Sequence, residues 1–193
     1  MFLKILLLCS IAIIGFCDAS SSLCYRQNFF PIQAVNNRCN ECCWDSFNVA
    51  ANIAKYTLCS KMNQFWGQGE AKSAENILKN IHDLGLATLK ISKDIQCDDD
   101  KAIKYVVCDF AARVRCFNNV LASCDATKAL ENLQSCVVAT ATAAAANIAT
   151  LSSRCQDVTN NSVTSALAPI QSYYADPTKF QKDLPAVVAS NCC

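Results

Sequence analysis

The density of cysteine is the feature that most constrains how this chain folds. The sequence contains 15 cysteines in 193 residues. One lysine, an apolar run over 5–16 and small residues up to Ala19 predict a secretory signal peptide over residues 1–19. Its removal takes away Cys9 and Cys17 and leaves 13 cysteines. We therefore expect a secreted, extracellular protein whose fold is held together by disulfides.

Length and composition favour one helical domain. Residues 20–193 are enough for a single domain with a substantial core. Glycine and proline are rare, at four each, which favours helices over sheet. Apolar periodicity predicts four long helices within 41–155, an N-terminal arm over 20–40 and one or two short helices in the C-terminal segment 156–193. Because the links are short, we expect an all-α, disulfide-rich, antiparallel bundle.

The segment 97–155 organises this predicted bundle. Apolar residues at steps of three and four indicate two helices that meet at a turn over 123–126. Asp125 is the predicted N-cap of the second helix. Asp109 and Arg113 lie four residues apart on the first helix, away from its apolar stripe. They predict an ion pair that faces water.

The spacing of four cysteines about this turn predicts two disulfides. Cys97 and Cys155 each lie 29 positions from residue 126, while Cys116 and Cys136 each lie 10 positions from it. Residues equally far from the turn lie at the same level of an antiparallel hairpin, and a disulfide needs Cα atoms about 4.4–6.8 Å apart. We therefore predict the disulfides Cys97–Cys155 and Cys116–Cys136.

Other pairings remain open on the sequence alone. Cys59 falls near the level of Cys116 and Cys136 and competes for either. Cys39 and Cys42 fall near the end of the bundle that holds Cys97. Cys39 and Cys42 also have the spacing of a zinc pair, but a zinc site needs a second pair, so no metal and no cofactor are expected. The odd count predicts one free thiol or a disulfide-linked dimer.

A long stretch of the second hairpin helix carries no charge. Residues 132–153 contain no Asp, Glu, Lys or Arg, yet the threonines, serines and asparagine there are too polar for a membrane anchor. Residues 139–149 are small or apolar on nearly every face, which predicts a central helix surrounded by others. The formal net charge is +1 without a basic patch, so nucleic acid is not an expected partner.

The N-terminal arm carries the aromatic stretch Phe29-Phe30-Pro31. The proline breaks any helix here, so the arm is predicted to be extended. We expect it to lie on the bundle as a lid, tethered through Cys24 and Cys39.

Three further residues have predicted positions. Trp66 precedes a glycine turn and is expected to plug the end of the bundle. His82 is the only histidine, lies off the apolar stripe and is expected on the surface. Asn160 begins the sequence Asn-Asn-Ser, an N-glycosylation signal that predicts a surface loop.

The sequence favours binding over catalysis. It contains no recognisable triad, nucleophile elbow or carboxylate pair, so an enzyme is not expected. We expect a non-enzymatic protein that carries a small apolar ligand inside the bundle. A protein that binds an extracellular partner through its surface is the alternative, and a membrane-active toxin that uses the uncharged helix is the third. The candidate ligand-binding residues are Ile81, Leu84, Phe110, Val114 and Phe117.

Overall fold

The computed structural model describes residues 21–30, 43–97, 99–169 and 182–189. The predicted signal peptide over 1–19 lies outside them, as do four of the 13 cysteines that follow it: Cys39, Cys42, Cys192 and Cys193. The described residues are all-helical, as predicted, and contain no strand. Their helices are α1, Ser21–Tyr25; α2, Trp44–Gln64; α3, Gly69–Asp94; α4, Lys101–Leu121; α5, Ala126–Ile148; α6, Ser153–Leu167; and α7, Asp183–Ala189.

The four long helices α2 to α5 form the predicted bundle. Helix α2 packs on α3 and α4, and α4 packs on α5. The turn between α4 and α5 lies where predicted, and the Asp125 carboxylate accepts a hydrogen bond from the Lys128 backbone N–H at 3.0 Å. This cap satisfies one of the free donors at the start of α5 and fixes where that helix begins.

The second hairpin helix is shorter than predicted. Helix α5 ends at Ile148, and α6 begins at Ser153. The Thr150 hydroxyl donates to the Asn147 carbonyl, and the Ser152 hydroxyl accepts from the Cys155 backbone N–H. The Thr150 hydroxyl satisfies a carbonyl at the end of α5, and the Ser152 hydroxyl caps the start of α6. A single helix therefore does not continue to Cys155.

Helix α4, rather than α5, is the centre of the bundle. It contacts α2, α3, α5, α6 and α7. In contrast, α5 buries only Ala129, Leu133, Val137 and Ala144, so the prediction of a central uncharged helix was wrong. Burial free energy scales with apolar area, and the alanines of α5 contribute much less than the large side chains of α4.

Four disulfides join the described helices. The Cα atoms of Cys97 and Cys155 are 5.3 Å apart, and those of Cys116 and Cys136 are 5.8 Å apart. Both predicted disulfides, between residues equally far from the turn, are therefore confirmed. The other two are Cys24–Cys59, at 5.7 Å, and Cys43–Cys108, at 4.8 Å. The alternative that joined Cys59 to Cys116 or Cys136 was therefore wrong. Cys59 instead tethers the N-terminal arm.

Candidate functional site

A groove of about 400 Å³ runs between α4 and α5. Its volume lies within the range of small-molecule sites in proteins, about 300–1,000 Å³. It is walled mainly by small side chains, with few polar groups. The lining residues are Tyr105, Cys108, Asp109 and Ala112 from α4 and Ala139, Thr140, Ala143, Ala144 and Asn147 from α5.

An ion pair on α4 supplies the charge beside this groove. The Arg113 side chain donates to both Asp109 carboxylate oxygens at 3.0 Å. The Asp109 and Arg113 side chains are only 10% and 13% exposed, so the prediction that this pair faces water was wrong. Asp109 lies in the groove wall beside α5, which a helical spacing on α4 alone does not reveal.

Burial controls the electrostatics of this ion pair. It raises the pKa of Asp109 above 3.8, although the hydrogen bonds and positive charge of Arg113 act in the opposite direction. The Arg113 guanidinium carbon also lies 5.9 Å from the centre of the Phe110 ring. The carboxylate is thus already held by a cation, and the groove presents little net charge.

The outward side of α5 forms an uncharged surface next to the groove. Val138, for example, is 57% exposed. The Thr142 hydroxyl donates to the Val138 carbonyl within the helix, which leaves this surface less polar than its sequence suggests. We call it the α5 outer face, defined by the exposed residues Val138, Ala139, Thr142, Ala143, Ala145, Ala146 and Ala149.

The predicted ligand-binding residues lie elsewhere. All five are 0–1% exposed and belong to one hydrophobic core cluster, and none lines the α4–α5 groove. Large side chains from α3 and α4 fill this region by packing against each other, as native cores do. The structure therefore places the predicted residues together, but in a packed core rather than in the groove. They are Ile81, Leu84, Phe110, Val114 and Phe117.

The structure reverses the predicted burial of His82 and of Trp66. His82 is only 9% exposed, so its predicted surface position was wrong. Phe29 and Phe30 from the N-terminal arm pack against it. The apolar spacing along α3 alone does not predict this contact. Trp66 is 70% exposed and does not plug the bundle. Trp44 instead stacks on Phe47, with ring centres 5.3 Å apart.

The glycosylation signal lies on a helix. Asn160 is exposed within α6, so the predicted surface position agrees with the structure and the predicted loop does not. Glycosylation at Asn160 remains a prediction.

No cluster of three or more His, Cys, Asp or Glu in the described ranges has the geometry to hold a metal ion. None of the described helices is both long and apolar enough to cross a membrane. Comparison with known proteins found no matching family model, no matching curated protein and no matching solved structure.

Proposed function

We propose that this is a secreted, non-enzymatic protein that binds an extracellular protein through the α5 outer face. The observation that carries the proposal is the exposed helix α5, which has no charged residue from 132 to its end at Ile148. Four disulfides among the described residues support an extracellular location, since such bonds persist in oxidising compartments.

The composition of the α5 outer face suits protein binding. Covering it removes no charge from water, and charged groups are the most costly to desolvate. Its alanines lose no rotamer freedom on binding, which lowers the entropic cost of association. Helix α3 contrasts with it, because its exposed Lys79 and Lys90 form ion pairs with Asp83 and Asp94.

The test places a charge on the α5 outer face and on a control surface. Ala146→Glu adds a carboxylate to the α5 outer face at a residue that does not line the groove, and Leu86→Glu adds one to α3, where Leu86 is 41% exposed. Both are surface substitutions and should change the free energy of unfolding by no more than about 0.5 kcal/mol. The parent protein and the two variants are immobilised separately and exposed to extracellular fluid of the organism that produces the protein. The proteins that each form retains from the fluid are then compared.

We expect at least one protein to be retained by the parent and by Leu86→Glu, but not by Ala146→Glu. Circular dichroism and thermal unfolding confirm that both variants are folded. Retention of the same proteins by all three forms contradicts the proposal.

The α4–α5 groove favours a second candidate function, the transport of a small apolar ligand. In this case the ligand lies among the alanines of the groove and not in the core. Ala112→Phe fills the groove, whereas Phe117→Trp enlarges a core residue. A groove carrier binds a fluorescent naphthalene sulfonate saturably and loses that affinity in Ala112→Phe only. Absence of saturable binding in the parent protein rejects the carrier function.

A further inference from the structure

The described residues that follow α1 hold two buried aromatic rings against the bundle. We call residues 26–30 the aromatic latch. Phe29 and Phe30 are only 2% and 4% exposed. The Phe30 ring lies nearly parallel to the His82 imidazole, with centres 5.7 Å apart and planes 12° apart, and the Phe29 ring centre is 5.4 Å from it. The Cys24–Cys59 disulfide anchors the chain just before the latch.

The latch fits into a slot between α2 and α3. Phe30 lies against Gly85 so closely that a Cβ atom at this glycine would overlap the ring. On the α2 side, the centres of the Trp44 and Phe47 rings lie 5.7 and 5.6 Å from that of Phe30. Departure of the latch therefore uncovers an apolar slot lined by Trp44, Phe47, His82 and Gly85.

His82 lies beneath the latch with one nitrogen unused. Its Nε2 is buried and has no hydrogen-bond partner in the part of the chain that the structure describes. Its Nδ1 lies 3.8 Å from an Asp83 carboxylate oxygen. A neutral imidazole has only one N–H, and Nδ1 can direct it towards the Asp83 carboxylate, so this arrangement suits the neutral form. Protonation adds a second N–H, at a position where the closed latch offers no acceptor.

The charges around His82 come from all three packed elements. Arg26 of the latch and Lys79 of α3 disfavour a positive imidazole, while Asp83 of α3 favours it. Lys55 of α2 lies 5.6 Å from the Phe29 ring centre and donates to the Arg26 carbonyl oxygen at 2.5 Å. Burial is the largest influence, and it lowers the pKa of His82 below 6.5.

We propose that the aromatic latch is closed while His82 is neutral and opens when His82 takes up a proton. The open form exposes Nε2 to water and uncovers the apolar slot. The Cys24–Cys59 disulfide keeps α1 on α2 in both forms, so opening is confined to the latch. The protein thereby gains an acid-dependent apolar surface that is separate from the α5 outer face.

The direction of the pH effect follows from linkage. The closed form has the lower pKa, and loss of burial in the open form brings the pKa back towards the ordinary value of 6.5. Closure is therefore fully favoured above 6.5, and weakens as the pH falls from 6.5 towards the lowered pKa. Because one proton is involved, the opening constant rises at most about tenfold per pH unit.

Tryptophan fluorescence tests the latch. The chain has two tryptophans, so Trp66→Phe leaves Trp44, which touches Phe30, as the only indole. We expect Trp44 emission to shift to longer wavelength as the pH falls from about 8 to about 5, with the far-ultraviolet circular dichroism unchanged. Adding His82→Phe, which keeps an aromatic ring without a titratable group, should abolish the shift. Adding Asp83→Asn should move its midpoint to lower pH.

Three results overturn the latch. The first is a parent protein whose Trp44 emission does not respond to pH over this range. The second is the same response in His82→Phe, or in His82→Gln where the phenylalanine variant does not fold. The third is a fluorescence change that coincides with loss of helical circular dichroism, because this indicates general unfolding rather than local opening.

Discussion

Arg113 donates two hydrogen bonds of 3.0 Å to Asp109, which lies in the wall of the α4–α5 groove. The two partners are nonetheless unequal. Burial raises the pKa of Asp109 in spite of Arg113, so this carboxyl takes up a proton more readily in the folded protein than in the unfolded chain. Removing one partner therefore differs in cost from removing the other.

We predict that Asp109→Asn changes the free energy of unfolding by less than about 1 kcal/mol, because the neutral amide avoids the burial cost of the carboxylate and still offers Arg113 an acceptor oxygen. Arg113→Met should destabilise by about 3 kcal/mol, because it leaves a buried carboxylate without its cation. Urea unfolding near neutral pH measures both. A larger loss in Asp109→Asn than in Arg113→Met contradicts the prediction.

The same pair predicts a pH dependence. The destabilising contribution of ionised Asp109 is complete above its raised pKa and is lost as the pH falls through that pKa to below 3.8. The difference in stability between Asp109→Asn and the parent should therefore shift in favour of the parent on acidification. Unfolding curves of both proteins at a series of pH values test the sign, and a shift in the opposite direction would show that Arg113 outweighs burial.

Gly85 provides a way to open the aromatic latch without acid. We predict that Gly85→Ala displaces Phe30 at neutral pH, since the added Cβ would occupy the position of the ring. Alanine favours helix by about 1 kcal/mol over glycine, so α3 itself should remain intact. In the Trp66→Phe background, Trp44 emission should lie at longer wavelength already at about pH 8. Gly69→Ala, where a Cβ meets no atom within 4 Å, is the matched control.

Phe117 distinguishes a packed core from a ligand cavity. It is 1% exposed and belongs to the main core cluster. Enlarging it with Phe117→Trp should destabilise the protein by about 1–3 kcal/mol through overpacking. Chemical denaturation measures this loss. Unchanged stability would indicate space beside Phe117 and would restore the core as a candidate ligand site.

The two hairpin disulfides should contribute unequally to stability. Paired replacement with alanine at Cys116 and Cys136 opens a loop with a sequence separation of 20, and at Cys97 and Cys155 one of 58. Loop entropy predicts losses of about 3 and about 4 kcal/mol, respectively. Unfolding of both variants by guanidinium tests the order. Non-reducing peptide mapping checks the connectivity, and a link from Cys116 to Cys59 would contradict it.

Local patterns accounted for the parts of this fold that depend on neighbouring residues. Helix periodicity, the Asp125 cap and cysteine positions about one turn are short-range properties, and they predicted an all-helical bundle with the pairs Cys97–Cys155 and Cys116–Cys136. The rule for these pairs worked although α5 ends before Cys155, because the chain continues at the same end of the hairpin into α6.

The position of each helix in the bundle and the surroundings of single side chains depended on distant contacts. The uncharged α5 lies at the edge of the bundle because α4 offers more apolar area to its neighbours. The apolar pattern of a single helix does not show which of two helices will be buried more deeply. His82 is buried by Phe29 and Phe30, more than fifty residues earlier in the chain. Residue types and spacings therefore determine which helices form, whereas the competition between their faces for burial determines which surfaces remain open to a partner.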